Sequence, residues 1–221
     1  MSKKQKIQTI VTCGVIFIIV VLDQWLKIWV KTNMTLGQHI SVFGDWFYLY
    51  FIENEGMAFG ISFGQAFGKL MLSLIRIALV VFLCWYVHKL IKKGELDNVS
   101  LTIFCLIIAG ALGNILDSLF YGLIFNESTP VAVASLFPQS GGYAPFFFGK
   151  VVDMFYFKLF KIPDGFPLWG GNYFFPAIFN IADSCVTIGV IMLIIFNKRI
   201  FKDKKTTEKI IQNPSENKSN N

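Results

Sequence analysis

Four long apolar stretches dominate the pattern of hydrophobic and polar positions along the chain. They lie at about residues 7–30, 69–91, 99–119 and 176–196. Each is close to the roughly 20 apolar residues that a helix needs to cross a bilayer. Of all residues 54% are hydrophobic and 15% are charged, a balance that argues against a soluble domain. The pattern predicts an all-α polytopic membrane protein with four transmembrane helices.

The distribution of Lys and Arg predicts how these helices are oriented. Basic residues precede the first stretch, separate the second from the third and follow the fourth, whereas residues 32–68 contain none. Because basic loops tend to stay in the cytoplasm, both termini are predicted to be cytoplasmic and loops 32–68 and 120–175 extracytoplasmic. These basic residues lie at the edges of the apolar stretches. The net charge of +6 is therefore expected to contact membrane lipid and not nucleic acid.

The extracytoplasmic loops show signs of a small β-sheet. The aromatic run from Trp46 to Ile52 is bounded by glycines and predicts a strand. The segment VVDMFYFKLFKI at 151–162 is open to two interpretations. It is either an interfacial loop or helix segment lying on the outer leaflet, or a short strand that ends at Asp153.

The remaining parts of the chain complete the predicted domain organisation. Residues 1–200 are expected to form a single membrane domain, and the polar residues 201–221 a disordered cytoplasmic tail. A Pro/Gly-rich segment at 124–150 is interpreted either as a lid over a site or as a surface element. The four cysteines have no CxxC or Cys/His neighbours, so neither a disulfide framework nor a zinc site is indicated.

Charged and amide side chains interrupt three of the apolar stretches. A charge at the centre of a bilayer costs at least about 2.5–3.5 kcal/mol, so such residues usually face a bundle interior and have partners. The predicted orientation places all of them near the outer surface, together with Asp153 of the second loop. They fall in three pairs with helical spacing, namely Asp23 and Lys27, Asn114 and Asp117, and Asn180 and Asp183.

Several chemistries fit a cluster of acids at one depth. The acids could hydrogen-bond the helices together, bind a divalent metal or carry protons. Two close carboxylates in a dry site have another use, because one stays protonated while its partner is ionised, and together they polarise a water for attack on an amide. The residues alone leave these alternatives open.

Five short motifs, in this order along the chain, resemble those of the bacterial lipoprotein signal peptidases, also called signal peptidase II. They are DQWLK at 23–27, NEGMAF at 54–59, GALGNILD at 110–117, VVDMF at 151–155 and FNIADS at 179–184. The resemblance implies an aspartic endopeptidase of the bacterial cytoplasmic (inner) membrane, with its active site toward the outer face. Such an enzyme cleaves the signal peptide from diacylglyceryl-modified prolipoproteins just before the lipidated cysteine.

The resemblance also implies residue roles. Asp153 and Asp183 match the catalytic pair, and no metal or other cofactor is expected. Positions that support the site or the substrate are matched by Asp23, Lys27, Asn54, Gly56, Asn114, Asp117 and Asn180. The expected partners are the lipid-modified prolipoprotein and membrane lipid, and the expected state is a monomer.

Two departures from the family pattern bear on these roles. Ser118 stands where the family usually has an Arg after Asp117, so Lys150 or another cation would have to supply a charge there. The segment at 124–150 is also longer than the typical connection. The main alternative function is a small proton- or cation-coupled transporter with Asp23, Asp117 and Asp183 as relay groups.

Overall fold

A computed structural model of the chain describes residues 1–55, 65–166 and 170–200. The helices are α1 (Lys3–Asn33), α2 (Gln65–Lys93), α3 (Asn98–Leu116), α4 (Gly122–Ile124) and α5 (Ile181–Ile195). A π-helical turn at Asp117–Tyr121 joins α3 to α4. The strands are β1 (His39–Phe43), β2 (Phe47–Asn54), β3 (Val151–Phe157) and β4 (Ile178–Phe179). Two predictions, the role of Gly56 and the disordered tail at 201–221, concern residues outside the described ranges.

Long apolar helices form at the first three predicted stretches. The helical segments Lys3–Asn33, Phe67–Lys93 and Asn98–Ile124 are each long and apolar enough to cross a membrane. They extend beyond the predicted limits because α1 begins at a capping box formed by Ser2 and Gln5, and because the π-helical turn and α4 prolong α3. The prediction of an all-α protein with a small sheet is thereby confirmed in its main elements.

The predicted start of the fourth helix, at residue 176 of the stretch 176–196, was wrong. Its helix, α5, begins only at Ile181, because Asn180 is its N-cap and the residues before it pair with β3 as strand β4. The fifteen residues of α5 span about 22 Å, less than the roughly 30 Å of a bilayer core. The count of four transmembrane helices therefore stays a prediction.

The helix α3 lies at the centre of the bundle. In its apolar window 67% of the residues are buried, against 11% for α1. It packs most extensively against α5, and then against α1 and α2. On α1 the buried positions are mainly polar, while most of its large apolar side chains are exposed. A helix with a polar inner face and an apolar outer face suits a lipid environment.

The sheet is antiparallel throughout, with strand order β1-β2-β3-β4. It confirms the predicted strand at Trp46–Ile52, which forms as Phe47–Asn54. It also decides between the two interpretations of 151–162. Residues Val151–Phe157 are a strand of the sheet and not an interfacial helix, and Asp153 pairs with Ile52 inside that strand instead of ending it.

The sheet and the Pro/Gly-rich segment both pack on one end of the bundle. A core cluster joins the end of α1 to β2 and β3, and it includes Val30, Met34, Phe51, Tyr121, Phe125, Ala134, Val152 and Met154. The segment returns to the π-helical turn, where the Gly149 amide donates to the Ser118 carbonyl at 2.9 Å. Only glycine fits there, because a Cβ on Gly149 would lie 2.0 Å from the Asp117 carbonyl oxygen.

Replacing Gly110 by Ala should destabilise the contact between α3 and α5. An added Cβ would lie 2.3 Å from the backbone oxygen of Ala182 and 2.7 Å from Val186 Cγ2. We expect the free energy of unfolding to fall by about 1–3 kcal/mol in thermal unfolding of the detergent-solubilised protein. The control is Gly14→Ala, whose added Cβ meets nothing within 4 Å. Equal melting temperatures for the two variants would contradict this packing.

Candidate active site

The structure gathers eight of the nine predicted site residues into one hydrogen-bonded cluster. They come from α1, the end of β2, the junction of α3 with the π-helical turn, β3 and the start of α5. The cluster contains Asp23, Lys27, Asn54, Asn114, Asp117, Asp153, Asn180 and Asp183. The ninth residue, Gly56, is outside the described residues.

The Lys27 ammonium is the centre of the inner part of this cluster. It lies 2.9 Å from Asp23 Oδ2 and 2.8 Å from Asp117 Oδ2. Its third hydrogen bond goes to Asn114 Oδ1 at 2.9 Å. All these side chains are buried, so one cation is shared by two carboxyl groups away from water. The predicted pairing of Asp23 with Lys27 is confirmed.

The two carboxylates bound to Lys27 also hold the backbone of the neighbouring elements. Asp23 Oδ1 accepts a hydrogen bond from the Ala182 amide at 2.9 Å, which fixes the first turn of α5. Asp117 Oδ2 accepts one from the Val152 amide at 3.3 Å, which fixes β3 next to Asp153. The ion pair on α1 thus determines where the elements that carry Asp153 and Asp183 lie.

Gln24 belongs to the same network, although the sequence analysis gave it no role. Its Nε2 donates to Asp117 Oδ1 at 2.8 Å and to the Gly113 carbonyl at 3.1 Å. Its Oε1 accepts from the Tyr121 hydroxyl at 3.2 Å. Its position three residues before Lys27, on the same helix face, is the signal that could have identified it.

Two asparagine side chains connect the carboxylates of Asp153 and Asp183. Asn180 Nδ2 donates to Asp153 Oδ1 at 2.7 Å and to Asn114 Oδ1 at 3.2 Å. Asn114 Nδ2 then donates to Asp183 Oδ1 at 2.7 Å. Because Asn114 Oδ1 also accepts from Lys27, the orientation of this amide is fixed, and with it the donor that faces Asp183.

The second oxygen of each carboxylate is also occupied. Asp153 Oδ2 accepts from Asn54 Nδ2 at 3.3 Å, and Asp183 Oδ2 accepts from the Asn180 amide at 3.3 Å. Asn180 therefore hydrogen-bonds both acids, one through its side chain and the other through its backbone. This arrangement keeps the two acids in fixed positions relative to each other.

The Asn-x-x-Asp spacing at the start of α5 has a different meaning from the one predicted. The spacing predicted Asn180 and Asp183 on one face of a helix, but Asn180 is the N-cap. Its side chain accepts from the Asp183 amide at 2.8 Å, and the Asp183 side chain accepts from the Asn180 amide in return. This reciprocal capping box sets both side chains at the helix start, where they face β3 and α3.

Asp153 lies in an environment that favours its neutral form. Burial raises the pKa of its carboxyl from 3.8 to about 7, and the negative charge of Asp183 adds to this increase. The hydrogen bonds from Asn54 and Asn180 and the charge of Lys27 oppose the increase. At neutral pH this site can hold a proton next to a second acid.

The cations around the cluster differ from those expected. Ser118 donates to the carbonyl of Asn114 in its own helix at 3.0 Å and brings no charge. The ion pairs described for Lys150 are with glutamates, so it does not substitute for the missing Arg. Lys27 pairs with Asp117 instead. Arg76 of α2 interacts electrostatically with Asp183 and, more weakly, with Asp117 and Asp153.

A cavity of about 440 Å³ adjoins Asp153. Its walls combine apolar side chains with acids and one amide, and they comprise Ile52, Glu53, Asn54, Glu55, Asp153, Pro176 and Ile178. The cavity reaches Asp153 between the end of β2 and the residues that precede α5.

Long apolar helices with a small antiparallel sheet and a buried polar cluster are features of a membrane protein, and a solved structure has a similar fold. The chain matches one described as "Bacterial membrane enzyme structure by the in meso method at 1.9 A resolution" with a TM-score of 0.55 and 25% identity. The match covers 84% of this chain and 90% of that one.

Sequence comparison identifies the family. Residues 15–198 match the family described as Peptidase_A8, signal peptidase (SPase) II. The lipoprotein signal peptidase of Porphyromonas gingivalis is 48% identical over 189 residues, which cover 84% of this chain and 81% of that protein. The lipoprotein signal peptidase of Amoebophilus asiaticus is 39% identical over 193 residues, which cover 84% of this chain and 76% of the relative. The chain belongs to the signal peptidase II family, as the five motifs predicted.

Replacing Lys27 by Met should strongly destabilise the fold, because it leaves Asp23 and Asp117 buried without their counter-charge. We expect a loss of about 3–5 kcal/mol in the free energy of unfolding. The control is Lys93→Met, whose pair with Glu95 at 3.6 Å is exposed and should contribute less than about 1 kcal/mol. Adding Asp117→Asn to Lys27→Met should recover part of the loss. Equal stabilities of the two lysine variants would contradict a central role for Lys27.

Proposed function

We propose that this chain is an aspartic endopeptidase that cleaves the signal peptide from diacylglyceryl-modified prolipoproteins just before the lipidated cysteine. Membership of the signal peptidase II family and the names of the curated relatives support the substrate. The observation that carries the catalytic assignment is the connection of Asp153 to Asp183 through Asn180 and Asn114. The two acids form a fixed pair beside a cavity open to a peptide.

In the proposed mechanism the pair shares one proton. Asp153 holds it, since burial favours its neutral form, and donates it to the oxygen of the scissile carbonyl. Asp183 accepts a proton from the attacking water, whose oxygen bonds to the carbonyl carbon. The tetrahedral intermediate then loses the amine, which takes up the proton held by Asp183, while one hydroxyl of the intermediate returns its proton to Asp153 as the new carboxyl group forms. No covalent intermediate and no metal take part.

The remaining site residues act through this pair. Asn54, Asn114 and Asn180 orient the two carboxylates by the hydrogen bonds described above. Asp23, Lys27 and Asp117 position β3 and the start of α5. Gly56 is assigned to the support of substrate or site by its place in the NEGMAF motif alone.

The proposed membrane arrangement follows the basic residues and the exposed apolar faces. We assign residues 1–200 to one domain with four transmembrane helices, α5 being the shortest, in the bacterial inner membrane. Both termini face the cytoplasm, while the sheet and the acid pair lie toward the outer face. A monomer presents the cavity beside Asp153 to a substrate whose lipid chains stay in the outer leaflet.

The alternative function, a proton- or cation-coupled transporter, has no support from the comparisons. The structure also weakens its physical basis. Asp23 and Asp117, two of the three candidate relay groups, are both paired with Lys27 and hold backbone amides in place. Their contacts are those of structural carboxylates.

Asp153→Asn and Asp183→Asn should each abolish cleavage of a prolipoprotein, because neither amide can supply or accept the required proton. We expect activity to fall at least about 100-fold in a gel-shift assay with purified enzyme and lipidated precursor. Circular dichroism and thermal unfolding would show that both variants stay folded. The control is Asp164→Asn, whose side chain is 87% exposed and which should cleave normally. Processing by either folded catalytic-site variant would remove that residue from the pair.

The rate of cleavage should decrease as the pH rises through about 7, because the acid form of Asp153 is then lost. The hydrogen bond from Asn54 lowers the pKa of Asp153, so Asn54→Ala should raise that pKa and move the alkaline limb to higher pH. The dependence of kcat/KM on pH measures this shift. Asn33→Ala, on the exposed end of α1, should leave the limb in place. A shift to lower pH in Asn54→Ala would contradict the assignment.

A further inference from the structure

The Pro/Gly-rich segment at 124–150 has no part in the proposed mechanism, yet it lies against the elements that carry the site. Among the described residues, those that line the cavity beside Asp153 come from before and after this segment and not from the segment itself. In the described structure the segment is therefore not a lid over that cavity. Its contacts are instead with the end of α1, the end of β2 and the start of β3.

Hydrogen bonds to the backbone attach the segment to α1 on one side and to β3 on the other. The Ala134 amide donates to the Lys31 carbonyl at 3.3 Å, close to the end of α1. The Tyr143 hydroxyl accepts from the amide of Lys150, the residue directly before β3, at 2.6 Å. The segment thus holds the end of α1 and the start of the strand that carries Asp153.

Ser128 of this segment is buried at an ion pair between α1 and β2. Its hydroxyl donates to Glu53 Oε1 at 2.7 Å and accepts from the Lys31 ammonium at 2.7 Å. Lys31 and Glu53 are also buried and hydrogen-bond each other directly. Within residues 1–55, 65–166 and 170–200, Glu53 Oε2 has no hydrogen-bond partner. In that part of the chain the hydrogen bonds to this carboxylate therefore come from Lys31 and Ser128 alone.

Glu53 is adjacent to a residue that contacts the acid pair. Glu53 and Asn54 are the last two residues of β2, so their side chains lie on opposite faces of the sheet. On the face away from Glu53, Asn54 Nδ2 donates to Asp153 Oδ2 at 3.3 Å. Contacts that fix the Glu53 side chain therefore also hold the backbone that presents Asn54 to Asp153.

We propose that the Pro/Gly-rich segment positions Asp153, because Ser128 fixes Glu53 and thereby holds Asn54 against the Asp153 carboxyl group. Ser128 is then a positioning residue, which contacts neither the substrate nor the acid pair. This inference rests on the proposed function, since it concerns the acid pair that cleaves the prolipoprotein. It gives a role to a segment that does not line the cavity and yet makes buried contacts with the elements around the site.

The test measures kcat/KM against pH for full-length enzyme in detergent micelles, with a synthetic diacylglyceryl-modified lipopeptide as substrate. The variant is Ser128→Ala, which removes the hydroxyl that bonds Glu53 and Lys31. The matched control is Ser135→Ala in the same segment. It also loses a hydroxyl hydrogen bond, to Asn126 Oδ1 at 3.1 Å, but at an exposed position.

We expect Ser128→Ala to move the alkaline limb to higher pH by about 0.5, because a weaker hydrogen bond from Asn54 raises the pKa of Asp153. The limb of Ser135→Ala should coincide with that of the wild-type enzyme. In an Asn54→Ala background, Ser128→Ala should add no further shift, since its effect passes through the Asn54 bond. Should Ser128→Ala not fold, Ser128→Cys offers a weaker donor of similar shape and should give a smaller shift in the same direction.

The direction of the shift separates positioning from a direct effect of charge on Asp153. The charged groups around Asp153 are Lys27 on α1, Arg76 on α2, Asp117 at the π-helical turn, Asp183 at the start of α5, and Glu53 and Glu55 at the end of β2 and just after it. Neither serine variant replaces any of them. Loss of the negative charge of Glu53 would favour the ionised form of Asp153 and would move the limb to lower pH.

Three results would overturn the inference while leaving the proposed function intact. They are an unchanged limb in folded Ser128→Ala, a shift of the limb to lower pH, and a shift that adds to that of Asn54→Ala. An absent alkaline limb in the wild-type enzyme would contradict both the acid role of Asp153 and this inference. Failure of the wild-type enzyme to cleave the lipopeptide at any pH would instead contradict the proposed function itself.

Discussion

The structure of the polar cluster depends on one buried ion, the ammonium of Lys27. It pairs with both Asp23 and Asp117 and fixes the amide of Asn114. Without it, two carboxylates would be desolvated with no counter-charge, which is among the most costly situations in a protein interior. The same carboxylates accept hydrogen bonds from backbone amides of β3 and α5. The ion pairs of Lys27 therefore also fix the position of the acid pair.

Two asparagine side chains hold the acid pair, Asp153 and Asp183, in position. Asn114 and Asn180 each donate to one acid of the pair and also contact each other, so neither can rotate without breaking several bonds. Asparagine suits this place because it donates and accepts while adding no charge. The two asparagines therefore position the acid pair without adding a charge to a buried region, where a further charge would be costly.

Much of the site was predictable from the sequence, since polar residues are rare in apolar stretches and their spacing on helices reports a shared face. This reasoning found Asp23, Lys27, Asn114 and Asp117. It misjudged the start of the fourth stretch, because hydropathy does not distinguish a short apolar strand and an N-cap from a helix. It gave Gln24 no role although that residue shares a helix face with Lys27. It also gave Arg76 none, because the interaction of Arg76 with Asp183 joins helices far apart in sequence.

One bond in this network has a consequence for biogenesis. The hydrogen bond from the Ala182 amide to Asp23 joins residues 159 positions apart, at the two ends of the described bundle. During synthesis the chain emerges from its N-terminus, so Asp23 and Lys27 enter the membrane long before the start of α5 exists. The polar cluster is thus complete only after α5 has been made, and until then Asp23 lacks the hydrogen bond from the Ala182 amide.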